Sequence, residues 1–225
     1  MQVNLKISTK KITGMDFLNL SLYAFAGLGM EVVLAYFIEP AIYGRDMSKW
    51  NSIQTILHWV LTCLVWGIIS YLLIKFSSER YGFSIINRTD KIKTHQWVSV
   101  ILCVIIVSIF DYINWGGLKL VLEFKNNGLV KFIFQYIYYL FEMGLFMLII
   151  IFGHKAFETW FGRSDIPYGG FVLALTWGLV HWFTKGNLLI GLSVALSSII
   201  YGVVYLLLNR DLKWTYFTLV IMFVL

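Results

Sequence analysis

The chain alternates apolar segments with shorter polar ones. Most of the apolar segments contain about twenty residues, which is the length that an α-helix needs to cross the hydrocarbon core of a bilayer. The pattern predicts seven spans, with the last one short, at approximately 15–38, 52–76, 95–113, 129–152, 169–183, 188–208 and 214–225.

The predicted spans are helices rather than barrel strands. A barrel strand shows about ten residues of alternating polarity, and no such pattern occurs here. Backbone groups in lipid must also be satisfied internally, which a helix achieves within one segment. Together with 59% hydrophobic and 13% charged residues, the pattern predicts an all-α fold, a polytopic helical bundle that forms a single integral membrane domain over residues 1–225.

The basic residues set the expected orientation. Lys6, Lys10 and Lys11 precede the first span, and the rule that cytoplasmic loops are basic then places the amino terminus in the cytoplasm. No small-residue cleavage site follows, so we expect this span to be retained in a multi-pass protein of the cell membrane. The net charge of +6 is explained by this topology and by contact with membrane lipid, and nothing in it indicates nucleic-acid binding.

Several polar features favour structural roles. Cys63 and Cys103 lie within predicted spans without ligand spacing, so we expect no disulfide, no metal site and no cofactor. His58 lies inside a span and His95 at a span edge, where we expect packed or snorkelling side chains. The segment WGGLKLVLEFKNNG (115–128) has near-helical spacing of apolar and charged residues, which predicts a short interfacial helix.

Two ionisable residues within spans indicate a functional site. Glu142 lies in FQYIYYLFEMGLFMLIIIF and His181 in GGFVLALTWGLVHWF. A charged side chain at such a position costs about 2.5 kcal/mol or more, so it usually faces a partner or a cavity. Helical counting places Glu142 nearer the cytoplasm and His181 nearer the outside. Glu31 and Asp111 fall toward the outer side, where they either line a cavity with His181 or reach the interface.

The sequence around these two residues resembles a membrane-embedded enzyme family. EMGLFM (142–147) is similar to a Glu-Glu-x-x-Phe-Arg motif, with Phe146 retained, and WGLVH (177–181) is similar to Phe-x-x-x-His, with Trp177 in place of phenylalanine. Both motifs belong to the CAAX-prenyl-protease and bacteriocin-processing family. The resemblance covers about 138–220. It implies that Glu142 and His181 are catalytic and that Phe146, Trp177, Asp111 and Glu31 bind substrate.

The chain departs from the family pattern at three points. Met143 replaces the second glutamate, Met147 replaces the arginine, and the last span lacks the family's His-x-x-x-Asn motif. A rival placement of the first motif on ETWFGR (158–163) restores an arginine but shortens the separation from His181. We prefer the placement on Glu142.

The resemblance implies an enzyme that acts on a lipidated or membrane-embedded peptide or protein. In the family the glutamate and histidine activate water, and for this chain we expect either peptide processing or acylation of a lipoprotein amine. Two alternatives stay open. The first is a catalytically reduced member that binds a membrane protein partner, as in bacteriocin immunity or scaffolding. The second is a small transporter subunit, although no paired broken helices support it.

Overall fold

A computed structural model describes residues 11–86 and 90–225, so the predictions made for Lys6 and Lys10 lie outside the described residues. The described residues are all-helical, with 84% in helices and no strand. They form seven helices: α1 (Gly14–Tyr43), α2 (Ser52–Tyr81), α3 (Thr94–Trp115), α4 (Lys119–Phe161), α5 (168–185), α6 (Leu188–Leu207) and α7 (Leu212–Val224).

The helices agree with the predicted spans in order and position, and they confirm the all-α prediction. Helices α1, α2, α3, α4 and α6 are long and apolar enough to cross a membrane. Helix α7, with 13 residues, is shorter. Several helices extend beyond the predicted bounds because polar residues still continue a helix outside hydrocarbon. The predicted span ending at 152, for example, continues to Phe161.

Helix α4 is the centre of the bundle and packs against α1, α2, α5 and α7. It is bent sharply at Gly128, where φ is 67° and ψ is 172°. The bend divides α4 into an arm, residues 119–127, and a shaft, residues 129–161. Asn127 Nδ2 donates to Gln135 Oε1 at 2.6 Å, and Tyr139 donates to Glu123 Oε1 at 2.6 Å. Residues eight and sixteen positions apart cannot meet along one straight helix, so the arm folds back antiparallel to the shaft.

Contacts between helices define two ends of the bundle. At one end Arg210 Nη1 is 3.0 Å from Glu158 Oε1, and we call this the Arg210 end. At the other, Asn114 donates to Ser193 Oγ at 2.8 Å, and we call this the Gly128 end after the bend in α4. Small residues let the helices approach closely between these ends. A Cβ at Gly169, for instance, would meet the backbone oxygen of Ile150.

Two helices contain a π-helical turn, in which the backbone bonds skip one residue further than in an α-helix. The first turn is Leu34–Ile38 in α1 and the second is Ala174–Gly178 in α5. Pro40 follows the first one, and its missing N–H already disrupts the regular helical bonding there. Such turns occur frequently at functional sites. Both of them lie beside the polar residues described next.

Candidate functional site

Glu142 lies on the α4 shaft and faces α5. Its side chain is 9% exposed, and the Trp177 side chain lies beside it and interacts with it. Phe146, one turn along the shaft, packs edge-on against Trp177 with ring centroids 4.6 Å apart. The two segments that carry the family resemblance therefore face each other across the α4–α5 contact.

His181 lies one helical turn beyond Trp177 on α5. The two rings have centroids 4.1 Å apart, and His181 Nδ1 is 3.1 Å from the Trp177 carbonyl oxygen. A carbonyl oxygen only accepts, so Nδ1 carries the proton and Nε2 of the neutral ring is free to accept one. Trp177 thus lies beside both Glu142 and His181. The offset in depth between Glu142 and His181 that helical counting indicates stays a prediction.

Lys119 belongs to the segment predicted as a short interfacial helix and was not among the predicted site residues. The arm carries its side chain back along the shaft, where it is 5% exposed and interacts electrostatically with Glu142, Glu123 and Asp111. Its Nζ donates to the Phe223 carbonyl oxygen at 2.9 Å. The ammonium also lies 3.7 Å from the Phe223 ring centroid, which is a favourable cation–π distance.

A hydrogen-bonded network holds the arm in this position. Gln135 donates to the Tyr139 hydroxyl at 2.7 Å and to Glu123 Oε1 at 3.1 Å. Lys119 Nζ lies 4.5 Å from the Tyr139 ring centroid. Because Glu123 is 4% exposed, this carboxylate depends on protein groups rather than on water. The arm is therefore fixed by side chains of the shaft itself.

A second buried pair lies near the π-helical turn of α1. His58 Nδ1 is 2.5 Å from Glu39 Oε2, and each side chain is 1% exposed. His58 Nε2 is 3.8 Å from Glu31 Oε1, and the Trp50 ring covers the histidine at 5.4 Å. The prediction of a packed His58 is thus confirmed, with a carboxylate partner that the sequence did not reveal. Glu39 had been placed just outside the first span.

The remaining predicted residues converge on the same region. Glu31, 34% exposed, interacts electrostatically with Glu142. Asp111 is half-buried on α3 and interacts with Lys119 and Tyr201. We call Glu142, Lys119, Trp177 and His181 the Glu142 centre, and Glu31 and Asp111 lie around it.

The rival motif placement belongs to another part of the molecule. Glu158 pairs with Arg210 and with Lys155, at 3.0 Å in both cases. Arg210 also donates to the Ser164 carbonyl oxygen at 2.8 Å. Arg163 pairs with Asp165 at the surface at 2.7 Å. Glu158 is sixteen residues from Glu142, about 24 Å along the helix, so it is remote from the Glu142 centre. Its ion pair with Arg210 stabilises the loops at the Arg210 end.

The arrangement offers acid–base and electrostatic chemistry. It contains a buried carboxylate, an imidazole with a free acceptor nitrogen and a buried ammonium group, which together can take up a proton and stabilise a developing negative charge. Within the described part of the chain, no group of three His, Cys, Asp or Glu side chains could hold a metal ion.

Comparison with known proteins does not identify a relative. The chain matches no family model, and it has no significant match to a curated protein or to a solved structure. The family resemblance therefore rests on the motif residues and on their placement across the α4–α5 contact.

We predict that Gly128→Ala lowers the free energy of unfolding by about 1–3 kcal/mol. The backbone angles at Gly128 belong to a region that is essentially restricted to glycine, and a Cβ there would meet no atom within 4 Å. The loss would therefore come from the backbone and not from a clash. Chemical denaturation in detergent micelles measures it.

Gly29→Ala is the matched control, because a Cβ at this helical glycine of α1 also meets open space. We expect it to be neutral or to stabilise by up to about 1 kcal/mol, the difference in helix propensity. Equal effects of the two substitutions would contradict the sharp bend at Gly128.

We predict that His58→Leu destabilises the protein by about 3 kcal/mol or more, since it leaves the Glu39 carboxylate buried without its partner. Adding Glu39→Gln should restore most of the loss because the remaining group is neutral. Thermal unfolding of the single and double variants measures both effects. His95→Leu, at an exposed position, is the control, and a neutral His58→Leu variant would show that the pair is not buried as described.

Proposed function

We propose that this membrane protein is an enzyme that acts on a lipidated or membrane-embedded peptide or protein at the Glu142 centre. The observation that carries the proposal is that Trp177 of α5 lies beside both Glu142 of the α4 shaft and His181 of its own helix. Charged groups within membrane-spanning helices are rare and usually functional. In the proposed reaction, Glu142 is the general base and His181 relays or shares the proton through Nε2.

The main chemical objection to catalysis is the missing oxyanion donor, and Lys119 can take its place. The chain lacks the histidine and asparagine that the family resemblance would place on the last span, and loss of one oxyanion donor typically costs about 3 kcal/mol in the barrier. The Lys119 ammonium interacts electrostatically with both Glu142 and His181. We assign it the role of stabilising the negative charge that develops on the substrate carbonyl oxygen.

Both expected reactions use the same groups. In peptide processing, Glu142 takes a proton from water, the hydroxide attacks the carbonyl carbon, and the C–N bond breaks as the proton passes to the leaving amine. In acyl transfer, Glu142 takes a proton from a lipoprotein amine, which attacks an acyl ester. The C–O bond then breaks, and the proton passes to the leaving alkoxide.

Carboxylates outnumber the single Lys119 ammonium around the Glu142 centre. The resulting negative charge favours a substrate that carries an amino group.

We also propose that the chain crosses the cell membrane seven times, with the Arg210 end in the cytoplasm. The direction of the helices alternates, so the basic residues gather at the Arg210 end, where positive charge is expected on the cytoplasmic side. The described basic residues assigned to this end are Lys11, Lys75, Arg80, Lys91, Lys93, Lys155, Arg163, Arg210 and Lys213.

We predict that a cysteine at Asn126 reacts with a membrane-impermeant maleimide in intact cells, whereas one at Ser84 reacts only after permeabilisation. Both positions are exposed, on the arm and in the α2–α3 loop respectively. Cys63 and Cys103 are first replaced by alanine, and gel shifts report labelling. Labelling of Ser84→Cys from outside would overturn the topology.

We predict that Glu142→Gln and His181→Ala each abolish the reaction while membrane abundance stays nearly unchanged. Lys119→Met should also abolish it but lower abundance, because it leaves buried carboxylates without their cation. A neutral side chain at a buried position avoids the free-energy cost of burying a charge. A variant that loses function but not protein has therefore lost a catalytic group. In cells that lack the native gene and carry each variant, mass spectrometry of amino-terminal lipopeptides reads acylation, and analysis of released peptides reads processing.

The matched controls are Glu79→Gln and His95→Ala, which change the same residue types at exposed positions. We expect both to retain full function. If Glu142→Gln and His181→Ala keep the phenotype, or lose it only in step with abundance, the enzymatic proposal fails. Retained capture of a membrane protein partner by those variants would instead support the binding role.

A further inference from the structure

A cavity of about 510 Å³ lies between α2 and α7, with the α4 shaft as its floor. Its walls are mainly apolar and include Ile74 of α2, Met147 and Leu148 of α4, and Leu212 of α7. Its volume falls within the range of small-molecule sites, and an apolar lining is typical of such sites. We call this cavity the Gly144 groove, after the glycine in its floor.

The Gly144 groove is separate from the Glu142 centre. Successive residues of an α-helix are about 100° apart, so Gly144 and Glu142 point about 200° apart around the shaft. The groove therefore lies on the opposite side of α4 from the carboxylate of Glu142. A ligand in the groove would not contact the catalytic groups proposed above.

The open floor of the Gly144 groove and a nearby cation indicate which kind of ligand fits there. A Cβ at Gly144 would meet no atom within 4 Å, so the floor is open rather than filled by a neighbouring side chain. Lys213 also lines the groove, at the start of α7. Because this position is at the basic Arg210 end, an apolar chain in the groove would have a cation beside its polar head.

The acidic residue at the same position does not oppose this arrangement. Asp211 caps α7, and its side chain accepts a hydrogen bond from the Trp214 backbone N–H at 2.9 Å. The positive N-terminal end of a helix offsets part of the charge of such a carboxylate. The ammonium of Lys213 is thus the group best placed to meet an anionic ligand.

We propose that the Gly144 groove binds an acyl chain of an anionic glycerophospholipid, with the lipid phosphate at Lys213. An acyl chain matches the apolar walls, since its burial is favourable in proportion to the area removed from water. A basic residue near a membrane surface in turn attracts an anionic headgroup. This inference is independent of the enzymatic proposal because the groove and the Glu142 centre use different faces of α4.

The test uses the full chain, purified in detergent micelles, and two lipid probes with identical acyl chains, phosphatidylglycerol and phosphatidylcholine. Native mass spectrometry measures how much of each lipid stays bound. We expect the wild-type chain to retain phosphatidylglycerol preferentially. Lys213→Gln should reduce this preference about fivefold while leaving phosphatidylcholine retention unchanged, because the apolar part of the groove remains.

Filling the groove tests the acyl-chain part of the proposal. Gly144→Leu should abolish retention of both lipids, and Ser70→Phe, on the α2 wall, should do the same if Gly144→Leu fails to fold. Gly29→Leu places the same side chain in open space on α1 and should leave retention unchanged. The proposal is overturned if the groove-filling variants retain lipid like the wild type, or if the wild type does not distinguish the two headgroups.

Discussion

The placement of the Lys119 ammonium among buried carboxylates is the interaction on which the rest of the candidate site depends. A buried charge is costly unless it is paired and hydrogen-bonded. The fold meets this requirement by bending α4 at Gly128, so that the arm returns along the shaft and Lys119 reaches the Phe223 carbonyl oxygen and the region of Glu142. The same bend brings Glu123 to Tyr139. One backbone conformation thus positions both the cation and the groups that hold it.

The helical framework could be predicted because it depends on local pattern. Each apolar segment of about twenty residues specifies a helix whatever its neighbours, and the described helices follow that pattern in order. The two short motifs placed Phe146 and Trp177 on consecutive helices, but their ring contact was not predicted. A helix interior places residues four apart on one face, which brings Glu142 and Phe146 together against α5.

The missed features depend on contacts between distant residues. The segment 115–128 was predicted as a short interfacial helix, but the return of residues 119–127 along the α4 shaft depends on side-chain pairs eight and sixteen positions apart, which no helical period indicates. Glu39 was separated from the first span by that span's predicted end, so its pairing with His58 was not foreseen. Both cases concern the polar partners of buried charges. Hydropathy shows where a charge lies along the chain but not which distant residue pairs with it.

The central claim is that Lys119 and Glu142 share one buried electrostatic environment, and a double-mutant cycle tests it most directly. The measurement is the free energy of unfolding in detergent micelles for Lys119→Met, Glu142→Gln and the double variant. Coupled residues show interaction energies of about 0.5–3 kcal/mol, whereas independent sites add within about 0.3–0.5 kcal/mol. The account predicts that the double variant loses at least about 0.5 kcal/mol less than the sum of the single losses. Additive effects would contradict it.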